Sequence, residues 1–333
     1  MDERPDEVGA AIDVGSNSIH LLVARVRDGD AGRPVVLEPL DDRSELLGLG
    51  EAIDRQGRIE PADRGMIVTT LEDYVDLARA AGASRITLIG TEPLRRAANA
   101  SEVLAMVRRA TGLPLRVLSV REEAELTFLG VCGGRLPDRS TMIVDIGGGT
   151  TEVGLRLPGQ PLTVLGLALG SARLTWTIVE HDPPTLGEID RLGRSARDAL
   201  ADMPAQPKRK RRQPATPPVA IFVGGTATNL ARLGPLTRAA LADDRRTLAQ
   251  LPAAEVVRRY RVRPQRARQL AAGTAIVDAL LERFGLEEAT VSDASLRDGA
   301  VIAAARFGDA WPERTAELFA EPLQPGAPTS SSH

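Results

Sequence analysis

The chain is poor in the side chains that build disulfides and zinc sites. Its 333 residues include one cysteine, Cys132, and three histidines. A single cysteine cannot form a disulfide framework within one chain, and it cannot supply a thiolate metal site. Three histidines scattered along the sequence also argue against a histidine-built zinc site.

Long apolar runs are missing as well. No run approaches the ~20 residues of a membrane span, and the N-terminal MDERPDE lacks the basic start and apolar middle of a signal peptide. We therefore expect a cytoplasmic protein without membrane contact. Aromatic residues make up only 3%, whereas the length suffices for two domains with sizeable cores. With a net charge of −3, a polyanionic substrate has to be held by local arginines and a metal.

The sequence TMIVDIGGGTTEV, residues 141–153, predicts a strand, a glycine turn and a second strand. Glycines let the backbone approach a bulky anion and point N–H groups at it. Asp145, at the end of the first strand, adds a carboxylate that suits a hydrated divalent metal bound to a phosphate. The stretch therefore predicts a site for phosphate and metal.

The sequence AAIDVGSNSIHLLVARV, residues 10–26, repeats this pattern around Asp13. Both stretches are also compatible with ordinary hairpins that have turn residues where turns need them. An aspartate in an apolar strand end has to be paired, hydrogen-bonded or metal-bound to offset its desolvation. Two such hairpins favour two related halves that face each other across a phosphate.

Other candidate residues follow strand ends. Gly224, Gly225 and Thr226 lie between a predicted strand and a helix, which is a ready anion site. Arg95 lies just beyond a predicted strand, where open α/β sheets collect ligands. Glu123 belongs to an acidic pair that opens a helix, and such a pair is equally typical of simple helix-dipole partners.

Three further segments carry predictions about organisation. Residues 43–57 are polar and contain several glycines, which predicts a loop. This loop either covers the cleft and helps to bind substrate, or simply connects two elements. Residues 252–284 are predicted to be helical. Residues 204–218 are rich in proline and contain the basic run Lys208–Arg212. This segment is interpreted as a solvated flexible loop, and the alternative is transient capture of a polyanion.

Seven motifs in order carry a family resemblance. They are DVGSNS at residue 13, GTEPLRRAAN at 90, SVREEAELTFLGV at 119, DIGGGTTE at 145, LGSARLT at 169, VGGTATNLA at 223 and SDASLRDG at 292. The sequence from about residue 9 to 307 resembles the exopolyphosphatase and guanosine pentaphosphate phosphatase family.

The resemblance implies an α/β fold with two actin-like (ribonuclease H-like) domains of the actin, heat-shock ATPase and sugar kinase superfamily. The active site is then expected in the interdomain cleft. The expected domains are residues 9–138 and 139–294, with a helix at about 295–307 that packs back on the first domain. Residues 308–333 are expected to be a partly disordered tail, because the segment from Pro322 ends in PGAPTSSSH. The chain resembles the short, two-domain form of the family.

The resemblance also implies hydrolysis of a terminal phosphoanhydride in inorganic polyphosphate, guanosine pentaphosphate or both. It makes Glu123 the catalytic glutamate, which would act as general base, and Asp145 the carboxylate associated with Mg²⁺ or Mn²⁺. Glu152 is the acid that closes the glycine motif, and Arg95 and Asn99 match the motif arginine and asparagine. A homodimer is expected on the same basis, and stable nucleic-acid binding is not.

The resulting site prediction has three parts. The catalytic residues are Glu123, Asp145 and Arg95. The metal ligands are Asp13, Asp145 and Glu152. The phosphate-binding residues are Gly15, Ser16, Asn17, Ser18, Gly147, Gly148, Gly149, Thr150, Gly224, Gly225 and Thr226.

The sequence departs from the family pattern at Glu92, Pro93, Arg96, Ser119-Val120 and Trp176. On the resemblance, these positions reshape the substrate channel without removing a proposed catalytic group. Two alternative functions use the same cleft. One is a small-molecule kinase of the same fold, and the other is a non-catalytic sensor of an alarmone or nucleotide.

Overall fold

Two β-sheets organise the computed structural model, which describes residues 7–27, 34–201 and 218–320 of the chain. The strands of the first sheet are β1 (Glu7–Val14), β2 (Ser18–Arg27), β3 (Val36–Leu46), β4 (Arg85–Gly90) and β5 (Leu115–Val117). Those of the second sheet are β6 (Thr141–Ile146), β7 (Thr151–Arg156), β8 (Thr163–Leu167), β9 (Val219–Val223), β10 (Leu236–Thr237) and β11 (Glu288–Val291).

The two sheets share one topology. The first has the strand order β3-β2-β1-β4-β5, and the second has the order β8-β7-β6-β9-β11 with β10 added at its edge. In each sheet the first three strands are antiparallel, and the next one pairs in parallel with the first. The predicted duplication into two related halves and the predicted α/β fold are therefore confirmed.

Helices cover both sheets. In the first half they are α1 (Leu49–Gln56), α2 (Pro61–Ala80), α3 (Glu92–Arg96), α4 (Ala100–Thr111) and α5 (Val120–Val131). The remaining helices are α6 (Ser171–Ile178), α7 (Leu186–Ala201), α8 (Gly224–Leu230), α9 (Arg238–Leu248), α10 (Ala253–Tyr260), α11 (Pro264–Ala267), α12 (Leu270–Phe284), α13 (Leu296–Phe307) and α14 (Trp311–Ala320).

Helices α5 and α13 cross in the apolar cluster that lies between the two sheets. Their glycines permit direct backbone contact, because a Cβ atom on Gly299 would lie 1.8 Å from the carbonyl oxygen of Leu126. A Cβ atom on Gly130 would likewise lie 2.4 Å from the carbonyl oxygen of Ser295. The crossing fixes α5, the helix that carries Glu123 in its first turn. Helix α13 also contacts β1 and β2 of the first sheet.

The prediction of a loop over residues 43–57 is wrong. Strand β3 continues to Leu46, and most of the remainder forms α1. Glycines in the left-handed conformation end this helix on both sides, with φ of +65° at Gly48 and +69° at Gly57. The glycines that were interpreted as loop punctuation are therefore the caps of a short helix.

The predicted helical segment 252–284 is interrupted. It comprises α10, α11 and α12, with breaks near Arg261, which has a φ of +54°, and near Arg268. The predicted tail from residue 308 begins with a turn of 3₁₀ helix and α14, whose Phe319 is fully buried. Residues 321–333 and the basic run Lys208–Arg212 lie outside the described residues. Within the described parts of the chain, no helix is long and apolar enough to cross a membrane.

Candidate active site

The two aspartate hairpins close with the same backbone hydrogen bond. The N–H of Gly15 donates to the carbonyl of Ser18 at 3.0 Å, and the N–H of Gly147 donates to the carbonyl of Thr150 at 2.9 Å. We call residues 15–18 the first phosphate loop and residues 147–150 the second. Both loops line a cavity of about 660 Å³ between the two halves. The predicted phosphate-binding residues along its wall are Gly15, Ser16, Asn17, Ser18, Gly147, Gly148, Gly149, Thr150, Gly224 and Gly225.

The two loops face each other at close range. A Cβ atom on Gly148 would lie 3.4 Å from Cγ of Asn17, and one on Gly149 would lie 2.8 Å from Oγ of Ser16. A side chain at Gly149 would collide with Ser16, whereas the distance at Gly148 is an ordinary van der Waals contact. One phosphate group can therefore be reached by N–H donors from both halves of the molecule.

Acidic side chains lie where the first strand of each hairpin ends. Asp13 in β1 and Asp145 in β6 occupy equivalent positions, and both face the cavity. Directly opposite Asp145 in the antiparallel pair is Glu152, whereas Asp13 is opposite His20. Burial and nearby arginines lower the pKa of His20 to about 3, so that this side chain stays neutral. The hairpins are alike in backbone but differ in charge.

Glu123 enters the cavity from the start of α5. Ser119 and Glu122 form a capping box there, with the Ser119 N–H donating to Oε2 of Glu122 at 2.8 Å. Glu122 therefore serves the helix end, and Glu123 is the acid that turns inward. Arg95 donates a hydrogen bond to the Glu123 carboxylate and a second one to the Leu118 carbonyl at 2.8 Å. Arg95 itself lines a second cavity beside the first.

Burial raises the pKa of all four carboxylates, and a neighbouring carboxylate adds to the rise for Asp13, Glu123 and Glu152. Burial raises the pKa of Asp13 to about 7 and that of Asp145 to about 6, and Asp145 adds to the effect on Asp13. Burial and Asp145 raise the pKa of Glu152 to about 8. The pKa of Glu123 is also raised by burial and by Glu152, while Arg95 opposes the rise. Such a cluster favours a bound cation.

The donor set fits a hard divalent cation. Oδ1 of Asp13 and Oε1 of Glu152 are buried and lack a hydrogen-bond partner. Within the described residues, no three acidic, histidine or cysteine side chains converge to enclose a metal by themselves. Mg²⁺ is usually bound by one or two carboxylates together with water and substrate phosphates, so it does not need such a cage. Asp13, Asp145 and Glu152 suit that mode of binding.

Two residues of the predicted motifs have side chains bonded within the protein. Oγ1 of Thr226 lies 2.8 Å from Oγ of Ser171, and Thr226 does not line the cavity, although Thr228 does. The Asn99 side chain bonds both the N–H and the carbonyl of Ile59 at 2.9 Å. In this structure the Asn99 side chain thus ties α4 to the segment before α2.

Arginines on the cavity wall were not singled out by sequence reasoning. A basic run at residues 258–268 was visible, but it was interpreted only as part of a helical segment. Arg266 reaches the third glycine turn, because a Cβ atom on Gly225 would lie 2.8 Å from its Nη2. Burial lowers the pKa of Arg266, so an anion nearby would be favourable. The arginines that line this wall are Arg43, Arg232, Arg261, Arg263, Arg266 and Arg297.

Comparisons with known proteins agree with this arrangement. The model of the Ppx/GppA phosphatase family matches residues 22–306. Exopolyphosphatase 1 of Mycobacterium tuberculosis is 30% identical over 310 residues, covering 87% of this chain and 86% of the relative. Exopolyphosphatase 2 of the same organism is 29% identical, covering 89% of this chain and 98% of the relative.

A solved structure has the same fold. The crystal structure of the Aquifex aeolicus member of the Ppx/GppA family superposes with a TM-score of 0.75 at 28% identity. The match covers 92% of this chain and 99% of that chain. The similarity thus extends over both halves and the cleft between them.

Proposed function

Because the chain belongs to the Ppx/GppA phosphatase family, we propose that it is an exopolyphosphatase that releases the terminal orthophosphate of inorganic polyphosphate. The observation that carries the proposal is the group of four carboxylates placed beside two facing phosphate loops in one cavity. Hydrolysis of a phosphoanhydride needs donors for the phosphate oxygens, compensation of their charge and an oriented water. The cavity contains residues for each requirement.

A divalent cation, Mg²⁺ or Mn²⁺, would be held by Asp13 and Asp145, with Glu152 beside them. Bound there, it would neutralise charge on the phosphate oxygens. The N–H groups of the two phosphate loops bind the same terminal phosphate from opposite sides. Together these contacts fix the phosphorus atom in front of Glu123.

Glu123 orients the attacking water and accepts its proton. A general base works best when its pKa lies close to the operating pH, and the pKa of Glu123 is raised from its ordinary value. Arg95 holds the carboxylate in place by its hydrogen bond. As the bond to the leaving oxygen breaks, the shortened chain departs as an anion along the arginine wall.

The cavity wall supports polyphosphate as the first substrate to test. Among the described residues that line it, none is Phe, Tyr or Trp. Bases are commonly bound by stacking on aromatic rings. A polyphosphate chain needs only cations along its path, and the arginine wall offers them. Guanosine pentaphosphate is retained as the second substrate to test.

The test is orthophosphate release by the purified protein in Mg²⁺ or Mn²⁺, with a chelator as control. Long polyphosphate, short polyphosphate, guanosine pentaphosphate and ATP are compared. Release from polyphosphate that stops on chelation supports the proposal. Transfer from ATP only when an acceptor is added would indicate a kinase, and tight binding without release would indicate a sensor. Homodimer formation and a cytoplasmic location stay predictions.

A further inference from the structure

Four charged side chains bridge the two halves beside the phosphate loops, and we call them the charge cluster. They are Asp54 of α1, Glu92 and Arg96 of α3, and Arg173 of α6. Arg173 pairs with both oxygens of Asp54 at 3.0 Å and with Oε1 of Glu92 at 2.7 Å. Arg96 contacts the same two acids at 2.5 and 2.7 Å. The cluster therefore joins α6 of the second half to α1 and α3 of the first.

The charge cluster reaches both phosphate loops through Glu92. Oγ of Ser16 in the first loop donates to Oε2 of Glu92 at 2.8 Å. Arg173, bound to the other carboxylate oxygen, donates to the Gly149 carbonyl of the second loop at 2.6 Å. A Cβ atom on Gly149 would lie only 2.9 Å from Oε2 of Glu92. The Glu92 carboxylate thus contacts the first loop directly at Ser16 and is linked to the second loop through Arg173.

Packing around the charge cluster also crosses the cleft. Trp176, one helical turn beyond Arg173 on α6, lies against α1. A Cβ atom on Gly50 would lie 3.3 Å from Cη2 of Trp176 and 3.0 Å from Cβ of Ser16. The first loop is therefore enclosed by both helices.

Glu92 is buried, with only 4% of its surface exposed. Burial alone would raise its pKa, but hydrogen bonds from Arg173, Arg96 and Ser16 hold the pKa below its ordinary value. Charge-assisted hydrogen bonds of this kind are short and geometrically strict. The carboxylate lines the second cavity, which shares Thr150 and Glu152 with the first, but Glu92 does not line the first cavity. For a phosphate in the first cavity, the effect of Glu92 therefore passes through its partners Ser16 and Arg173.

We propose that Glu92 is a positioning residue that sets the distance between the two phosphate loops, so that both hold one terminal phosphate. The inference rests on the proposed function for its substrate. The carboxylate orients Ser16 on one side and, through Arg173, Gly149 on the other.

The test is Glu92→Gln, which keeps the shape but removes the charge. We expect the KM for polyphosphate to rise roughly tenfold or more with kcat changed less than about threefold, because the loops bind the phosphate in both ground and transition states. Inhibition by orthophosphate should weaken by a similar factor. An unchanged KM overturns the proposal.

A double-mutant cycle with Ser16→Ala separates positioning from general destabilisation. If Glu92 acts through Ser16, the effect of Glu92→Gln on KM should be much smaller in the Ser16→Ala background. Equal effects in both backgrounds overturn the proposal. Glu102→Gln is the matched control, because it removes an ion pair with Arg64 that lies within the first half. We expect its KM to equal that of the wild type.

A second variant and a binding measurement complete the test. Glu92→Asp retains the charge, so it should fold even if Glu92→Gln does not, but its shorter side chain cannot reach Ser16 and Arg173 together. We expect its KM to rise as well, and an unchanged value overturns the proposal. If the wild type releases no orthophosphate, the proposed function fails separately. In that case the affinity for inorganic phosphate is measured by calorimetry, and we expect Glu92→Gln to bind it more weakly than the wild type. An equal affinity in the two proteins, or no binding by the wild type, overturns the role of Glu92.

Discussion

At the scale of single residues, the contact between Arg95 and Glu123 controls the proposed base. Burial and the neighbouring Glu152 raise the pKa of Glu123, and Arg95 is the cation that opposes them. A base that stayed protonated at working pH would be inactive. Arg95 therefore has an electrostatic task beyond holding Glu123 in place.

Replacing Arg95 by glutamine should move the pH profile. Without the cation, the pKa of Glu123 rises further, so Glu123 loses its proton only at higher pH. We expect the rising limb of kcat/KM to shift upward by roughly one pH unit. The measurement is kcat/KM for polyphosphate against pH. The control is Arg108→Gln, on the exposed face of α4, which should leave the rising limb of the profile unchanged. A rising limb that does not shift in Arg95→Gln would contradict the electrostatic role of Arg95.

At the scale of elements, the turn from β9 to α8 is shaped around Asp145. Gly224 has a φ of +85°, and a Cβ atom on it would lie 2.3 Å from Oδ1 of Asp145. No other residue type combines that backbone conformation with so close an approach. The third glycine turn therefore leaves room for the proposed metal ligand.

Gly224→Ala should displace the Asp145 carboxylate and lower kcat/KM for polyphosphate roughly tenfold or more. It should also raise the Mg²⁺ concentration needed for half-maximal rate. Gly285→Ala is the matched control, since its φ is +65° and no atom lies within 4 Å of its Cβ position. Both variants should lose about 1 kcal/mol of stability from the positive φ alone, and Gly224→Ala should lose more because its Cβ atom also meets Asp145 and Ile146. Only Gly224→Ala should lose activity. Equal activity in the two variants would contradict the role of Asp145 as a metal ligand that Gly224 leaves room for.

The elements that the sequence predicted well are those whose signals are local. Each aspartate hairpin has its apolar strands, its turn residues and its carboxylate within about 17 residues, so its backbone followed from the pattern alone. Helix α1 was missed because it is short and polar, and only Leu49 and Ile53 on its buried side pack into the core of the first half. The break at Arg261 was missed because a non-glycine residue there has a positive φ.

The partners within the site were harder to predict than its residues. Glu123, Asp13, Asp145 and Glu152 were recognised from motifs, and the structure brings them to one cavity. The bond between Glu92 and Arg173 joins positions 81 residues apart. No sequence period or propensity links two such positions, so only the folded chain reveals the contact.

At the scale of the whole molecule, charge is distributed unevenly. The net charge is −3, yet the cavity wall gathers arginines from both halves. Arg263 of the second half even donates to Ser44 of the first at 2.8 Å. The same cavity is lined by six carboxylates, so a polyanion is attracted by the arginine side of the cleft and by a cation bound at the carboxylates, and not by the protein as a whole.

Salt should weaken polyphosphate binding through this wall. We expect the KM for long polyphosphate to rise as KCl increases from about 50 to about 200 mM, because exposed charges are screened. Arg263→Gln should raise KM at low salt and flatten the salt dependence. Arg314→Gln, which removes an exposed pair with Glu317, should behave as the wild type. A salt dependence that is the same in all three proteins would exclude Arg263 from the path.

The most direct test of the hydrolase assignment compares orthophosphate release by wild type and Glu123→Gln in Mg²⁺. The account predicts steady release from polyphosphate by the wild type. In the variant, kcat should fall by roughly a hundredfold or more, with polyphosphate affinity changed less than about threefold because the phosphate loops are untouched. Near-normal turnover in Glu123→Gln would contradict the general base, and no release by the wild type would contradict the hydrolase itself.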